Sequence, residues 1–217
     1  TSFYRFSTIH DRLIHRSIRK RIVIPLFLFF ISIGAHAQLA LQTFESGIPS
    51  SWPSFTNNVG TQTWGISSDS FRGTSAAFLN PSAENIGAGN TAQYFLATQV
   101  QIPQNGEIRF YSKQATSANN GAIYQIRLST AGLTDPAGYT VILKSWTEED
   151  LNIGSQTAYE EKIVAIPSNI PVGLNVNIAF VVVNTQTGAT PSGDAWFIDN
   201  VRVIESCQKV NQADFSV

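Results

Sequence analysis

Short apolar runs, many alternating with polar residues at a period of two, recur from residue 39 to residue 204, and helical periodicity hardly appears. The pattern predicts strands at 39–44, 63–67, 76–79, 93–98, 107–114, 123–130, 140–146, 160–166, 176–184 and 195–204. In the fifth, Ile108, Phe110 and Ser112 face one way while Glu107, Arg109, Tyr111 and Lys113 face the other. In the sixth, Tyr124, Ile126 and Leu128 oppose Gln125, Arg127 and Ser129. Residues 178–183 are apolar on both faces, which predicts a central strand covered on each side. Turn chemistry separates the runs at Asn105-Gly106, Asn120-Gly121 and Asp135-Pro136. Residues 80–90 read as a surface loop, and the one helical turn expected is 147–151, with Thr147 as its cap. Ten short strands without intervening helices predict an all-β fold, a two-sheet antiparallel β-sandwich of jelly-roll type.

The first 37 residues do not follow this pattern. A basic leader (Arg5, Arg12, Arg16, Arg19, Lys20, Arg21) precedes an apolar run over 22–34, and Ala35-His36-Ala37 supplies the small-x-small pattern of a signal-peptidase site. The run is shorter than the roughly 20 residues of a spanning helix, and it is apolar on all sides, unlike an amphipathic one. The expected division is a signal peptide at 1–37, one sandwich domain at 38–205 and a linker at 206–217. The leader is long and the chain has no Met, so the true start codon is expected elsewhere.

Removing the leader changes the chemistry available. It carries six of the 14 basic residues and one of the 15 acidic ones, which leaves 8 and 14 and a net charge of −6. Such a domain is not expected to track nucleic acid. All three histidines (His10, His15, His36) lie in the leader, which removes Ser-His-Asp, Cys-His and His-zinc chemistry from the mature part. The lone Cys207 follows the last strand, where a linker to a further domain would begin and where a downstream partner thiol is expected.

Two motifs bracket the mature chain. The segment 44–52 reads Phe-Glu-Ser-Gly-Ile-Pro-Ser-Ser-Trp, and 194–203 reads Asp-Ala-Trp-Phe-Ile-Asp-Asn-Val-Arg-Val. Each places a carboxylate, Glu45 or Asp199, in an apolar strand-like setting, where it is costly unless paired. A hard cation bound by oxygens is one such partner, and neighbouring first and last strands would let one ion clip both ends of the domain. Asp69 and Asn200 are weaker additions to the donor set. The alternative is that Glu45 and Asp199 accept backbone hydrogen bonds or pair with Arg109 or Arg202.

The pairing, with 93–98 followed by 106–112 between the motifs, resembles the cleaved-adhesin and choice-of-anchor J domains of secreted bacterial proteins, and more distantly MAM domains. The resemblance spans roughly residues 41–204. It implies a secreted or cell-surface, non-catalytic module of a Gram-negative bacterium that binds a glycan or protein surface, holds a structural Ca²⁺, and forms the N-terminal part of a longer protein exported by the type IX system. The alternative is an accessory domain of a secreted protease or glycoside hydrolase.

Paired acids also raise glycoside hydrolysis. Glu148, Glu149, Asp150, Glu160 and Glu161 are numerous, yet the Glu-x-Asp-x-x-Glu strand motif of comparable sandwich hydrolases is absent. Aromatic rings stack on sugars, and Tyr139, Trp146 and Tyr159, near loops, are the candidates for a ligand face, with core burial as their alternative. Trp64 and Trp196 are expected in the core, and Trp52 over the sandwich end.

Overall fold

The structure, a computed structural model, describes residues 39–206. The leader over 1–37, Cys207 and almost all of the 206–217 linker lie outside the described residues.

Among the described residues, ten strands form two antiparallel five-stranded sheets. They are β1 (Ser54–Thr56), β2 (Gly65–Ser67), β3 (Ala76–Leu79), β4 (Thr91–Gln101), β5 (Gly106–Gln114), β6 (Ala122–Ser129), β7 (Val141–Thr147), β8 (Glu160–Ala165), β9 (Asn175–Thr185) and β10 (Trp196–Glu205). One sheet has the order β1-β4-β9-β6-β7 and the other β2-β3-β10-β5-β8, the two-sheet sandwich that the alternation predicts. Nine of the ten expected strands are present within a few residues. The exception is 39–44, of which only the bridge between Gln42 and Val201 forms. Phe44 ends it, because its φ of 60° turns the chain into the left-handed region. At 147–151 the chain makes a turn rather than a helix, with Thr147 Oγ1 accepting from the Asp150 N–H at 3.2 Å. Among the described residues no helix is long and apolar enough to cross a membrane.

Inward-facing positions of both sheets fill one core. Trp196 is fully buried among Trp64, Phe110, Tyr124 and Phe180, with ring centroids 5.1–6.2 Å away. Its indole N–H donates to Ser112 Oγ at 2.7 Å, so the one polar atom of that ring is satisfied inside the core. Trp52 packs on Phe44 and Phe180, which closes one end.

β9 is the central strand of its sheet and is buried on both faces. Ile178, Phe180 and Val182 enter the main core. Ala179 and Val181 enter a second cluster with Phe95, Ala97 and Tyr139 on the sheet's outer side. Tyr139 lies at the end of the β6–β7 loop, which folds back over the sheet and is tied to β9 where Asn177 Nδ2 donates to the Ala131 carbonyl at 2.7 Å.

Candidate functional site

The segment around Gln42 and β10 lie side by side. Gln42 and Val201 exchange both backbone hydrogen bonds, at 2.7 and 2.9 Å. On β10 a bulge between Asp199 and Arg202 interrupts the pairing with β5, and Asn200 within it has a φ of 51°. A bulge re-aims the strand locally. Here it frees Val201 to meet Gln42 and sets Asp199 beside the β2–β3 loop, residues 68–75.

That loop is suspended from the two carboxylates named by the sequence. Asp199 is 0% exposed. Its Oδ2 accepts the Phe71 and Arg72 N–H groups, each at 3.1 Å, and its Oδ1 accepts the Asn200 N–H at 2.7 Å. The exposed carboxylate of Glu45 accepts the Thr74 N–H at 3.0 Å, the Thr74 hydroxyl at 2.7 Å and the Ser75 N–H at 3.3 Å. Gly73, with a φ of 86°, lies against the Glu45 carboxylate so closely that a Cβ there would collide with it.

The two carboxylates feel each other. Burial pushes the Asp199 carboxyl up, the N–H groups of Arg72, Asn200 and Phe71 pull it back, and the charge of Glu45 adds to the rise, leaving it above the ordinary range. Glu45 is held below its ordinary range by the Thr74 hydroxyl first and then by the Thr74 N–H, against desolvation. The arginines that could have neutralised them are engaged elsewhere: Arg109 with Glu107 and Glu161, and Arg202 with Glu161 at 3.0 Å.

The two carboxylates supply the oxygen donors a hard cation would take, and among the described residues no group of three or more Asp, Glu, His or Cys side chains gathers. The other two expected ligands are occupied differently. Asp69 pairs with Lys113, and its carbonyl accepts the Tyr159 hydroxyl at 2.8 Å. Asn200 serves Asp199 through its backbone N–H.

The acids considered for glycoside hydrolysis disperse. Glu148 is 0% exposed and accepts the backbone N–H groups of Asn120, Ala122 and Asp194, the last two at 2.8 Å. Glu160 pairs with Lys162 at 3.3 Å, Glu161 with Arg202, and Glu149 accepts from Asn119.

Two of the three expected ligand-face aromatics are corrected. Tyr139 is 2% exposed, its ring against Phe55 and Phe95 and its hydroxyl donating to the Leu133 carbonyl at 2.7 Å. Trp146 is 8% exposed and packs edge-on against Phe110. Burying large rings is the larger gain at both positions.

Tyr159 alone keeps a surface, and it sits beside two rings that the sequence reading did not single out. Phe71, 39% exposed, stacks on Tyr111 with centroids 3.4 Å apart and planes 7° from parallel, and Tyr159 stands edge-on to Phe71 at 6.0 Å. The Tyr159 phenol is pushed well up by burial and then by the charges of Asp69 and Asp199. The outward position of Tyr111 in the alternation of β5 was the available signal. Nothing marked Phe71, because it lies in a loop.

Residues 38–169 match the Cleaved Adhesin Domain family. The chain belongs to that family. Its fold is that of the K3 cleaved adhesin domain of Lys-gingipain from Porphyromonas gingivalis W83, with 15% identity, a TM-score of 0.59, and 78% of this chain and 100% of that one covered. The K1 domain of the same protein is similar at 17% identity and a TM-score of 0.57, covering 77% and 98% of the two chains. A structure of carbohydrate-binding modules from the β-sandwich superfamily, described there as promiscuous in specificity, matches at 13% identity and a TM-score of 0.51, covering 79% and 64%. No curated protein is significantly similar to the sequence.

Proposed function

We propose that this cleaved adhesin domain is a secreted or cell-surface, non-catalytic binding module whose ligand is a glycan or a protein surface, and that a structural Ca²⁺ joins the segment bearing Glu45 to the last strand. The observation that carries the reading is the convergence of Glu45 and Asp199 on one loop within a cleaved-adhesin sandwich. The ion would be held by these two carboxylates, with loop carbonyls completing the shell, and would supply cohesion rather than chemistry. Free calcium at 100 times its dissociation constant would add about 2.7 kcal/mol of stability.

The glycan side of the reading is supported by the shared fold with carbohydrate-binding modules. Export rests on the leader, and the type IX route and Gram-negative host rest on the resemblance seen in the sequence. A second arrangement is favoured by one observation: the solved K3 and K1 relatives are each one domain of a larger protein. In it, this domain is an accessory part of a longer secreted protease or glycoside hydrolase.

The test is retention of the purified chain on immobilised polysaccharides and matrix proteins, run beside a hydrolysis assay on chromogenic glycosides. Retention without hydrolysis is the expected result. Hydrolysis that disappears in Glu160→Gln at an unchanged melting temperature would contradict the non-catalytic reading.

A further inference from the structure

The loop hung from Asp199 and Glu45 carries an exposed flat ring beside two further aromatic rings. One face of Phe71 is covered by Tyr111, nearly parallel beneath it, so the exposed surface of Phe71 is its opposite face and rim. Tyr159 stands across the edge at 64° to the ring and makes an L-shaped corner. The Tyr159 hydroxyl is tied to the Asp69 carbonyl, and Lys113 Nζ lies 5.4 Å from the Tyr159 ring centre, which together fix the wall. The backbone N–H groups of Phe71 and of its neighbour Arg72 both end on the buried Asp199, so the ring is anchored at its own peptide. Preorganised rings lose little freedom when a ligand stacks on them.

The chemistry of the corner selects the occupant. An open aromatic face carries the negative side of the ring quadrupole and attracts the weakly positive axial C–H groups of a sugar ring. The same loop carries an acceptor and a donor: Asp69, paired with Lys113 and with its side chain 52% exposed, and the exposed Arg72 next to Phe71 in sequence. A rim of both signs suits neutral hydroxyls, which donate and accept at once, better than a ligand of one charge.

We propose that Phe71, Tyr111 and Tyr159 form a stacking subsite for a neutral pyranose ring of an oligosaccharide, with Asp69 and Arg72 as its hydrogen-bonding rim. The proposal rests on the binding-module reading and names the surface that performs it. It also joins the two carboxylates to binding, since they position the loop that bears the ring.

The experiment titrates the purified full chain by calorimetry with the hexasaccharides of β-1,4-linked glucose, mannose, xylose and galactose. Phe71→Ala and Phe71→Trp are measured beside it, with melting temperature as the folding control. At least one of the four oligosaccharides is expected to bind the unaltered chain. Phe71→Ala should weaken it by about tenfold without lowering the melting temperature appreciably. Phe71→Trp should keep the affinity and show a change in tryptophan emission absent from the unaltered chain. Unchanged affinity in Phe71→Ala, or binding without that emission change, would overturn the subsite and leave the binding-module reading standing. No binding of any of the four by the unaltered chain would contradict the glycan reading itself and the subsite with it. A proline-rich peptide that binds in place of every sugar and is lost in Phe71→Ala would overturn the assignment of the ligand.

Discussion

Glu148 and Asp199 are both fully buried carboxylates, and each accepts three backbone N–H groups. Their partners differ in what they belong to. Those of Glu148 come from the entry to β6 (Asn120, Ala122) and from Asp194 just before β10, so this side chain ties strands of both sheets at one end of the sandwich. Two of the three partners of Asp199 come from one surface loop, and a second carboxylate, Glu45, holds the far end of the same loop. Equal counts of hydrogen bonds thus serve two purposes. Glu148 holds the fold, whereas Asp199 holds a surface element and bears the repulsion of a neighbouring charge. A cation would relieve that repulsion.

The comparison is broken most severely at Glu148. Glu148→Ala leaves the buried N–H groups of Ala122 and Asp194 and the part-buried one of Asn120 without an acceptor, and should lower stability by about 3 kcal/mol. Chemical denaturation checks this, and an unchanged midpoint would contradict the role. Asp199→Asn should behave differently. At neutral pH with EDTA it removes a desolvated, repelled charge, while its amide oxygen still accepts from the loop and its NH₂ gives up the bond from the Asn200 N–H, so the melting temperature should fall much less than in Glu148→Ala. With calcium present, the unaltered protein should gain stability that the variant does not, which a melting series at several calcium concentrations would read. Gly73→Ala forces a side chain into the Glu45 carboxylate at a left-handed position, with an expected cost of about 1–2 kcal/mol.

The smallest expected effect belongs to a third loop staple. Glu84 accepts the Thr61 N–H at 2.6 Å, the Gln62 N–H at 3.0 Å and the Tyr94 hydroxyl at 3.4 Å. Burial works to raise its carboxyl, and these bonds outweigh burial and hold it below the ordinary range. A depressed carboxylate contributes stability above its unfolded value, and that contribution is lost as pH falls through the folded value. The stability advantage of the unaltered protein over Glu84→Gln should therefore be present at pH 7 and shrink below about pH 4.5. An advantage independent of pH would show that the carboxylate charge is not what matters there.

Much of the sandwich was legible in the sequence because alternation reports which residues a pleated strand buries. The two-faced apolar run of β9 announced a covered central strand. It did not say that the cover would be the loop ending in Tyr139, so a ring that looked available to ligand is packed on Phe95 instead. β1 escaped notice because three residues carry no period, and 39–44 was overextended because nothing in Phe44 reveals its left-handed backbone. At the site, Glu45 and Asp199 stood out as carboxylates in apolar company. Their shared loop could not be seen, since Phe71 and Asp199 are 128 residues apart and meet only through backbone N–H groups, which no side-chain pattern encodes.

The proposed ion would let Glu45 and Asp199 clip the segment around Gln42 to the last strand. The most direct measurement is the melting temperature of the purified chain in excess calcium, in EDTA, and in EDTA followed by calcium. Stabilisation near 2.7 kcal/mol corresponds to a rise of roughly 5–10 °C for a domain of this size, reversed by EDTA, restored by calcium and absent in Glu45→Ala. Identical melting temperatures under all three conditions would contradict the claim and leave the two carboxylates as hydrogen-bond acceptors for one loop.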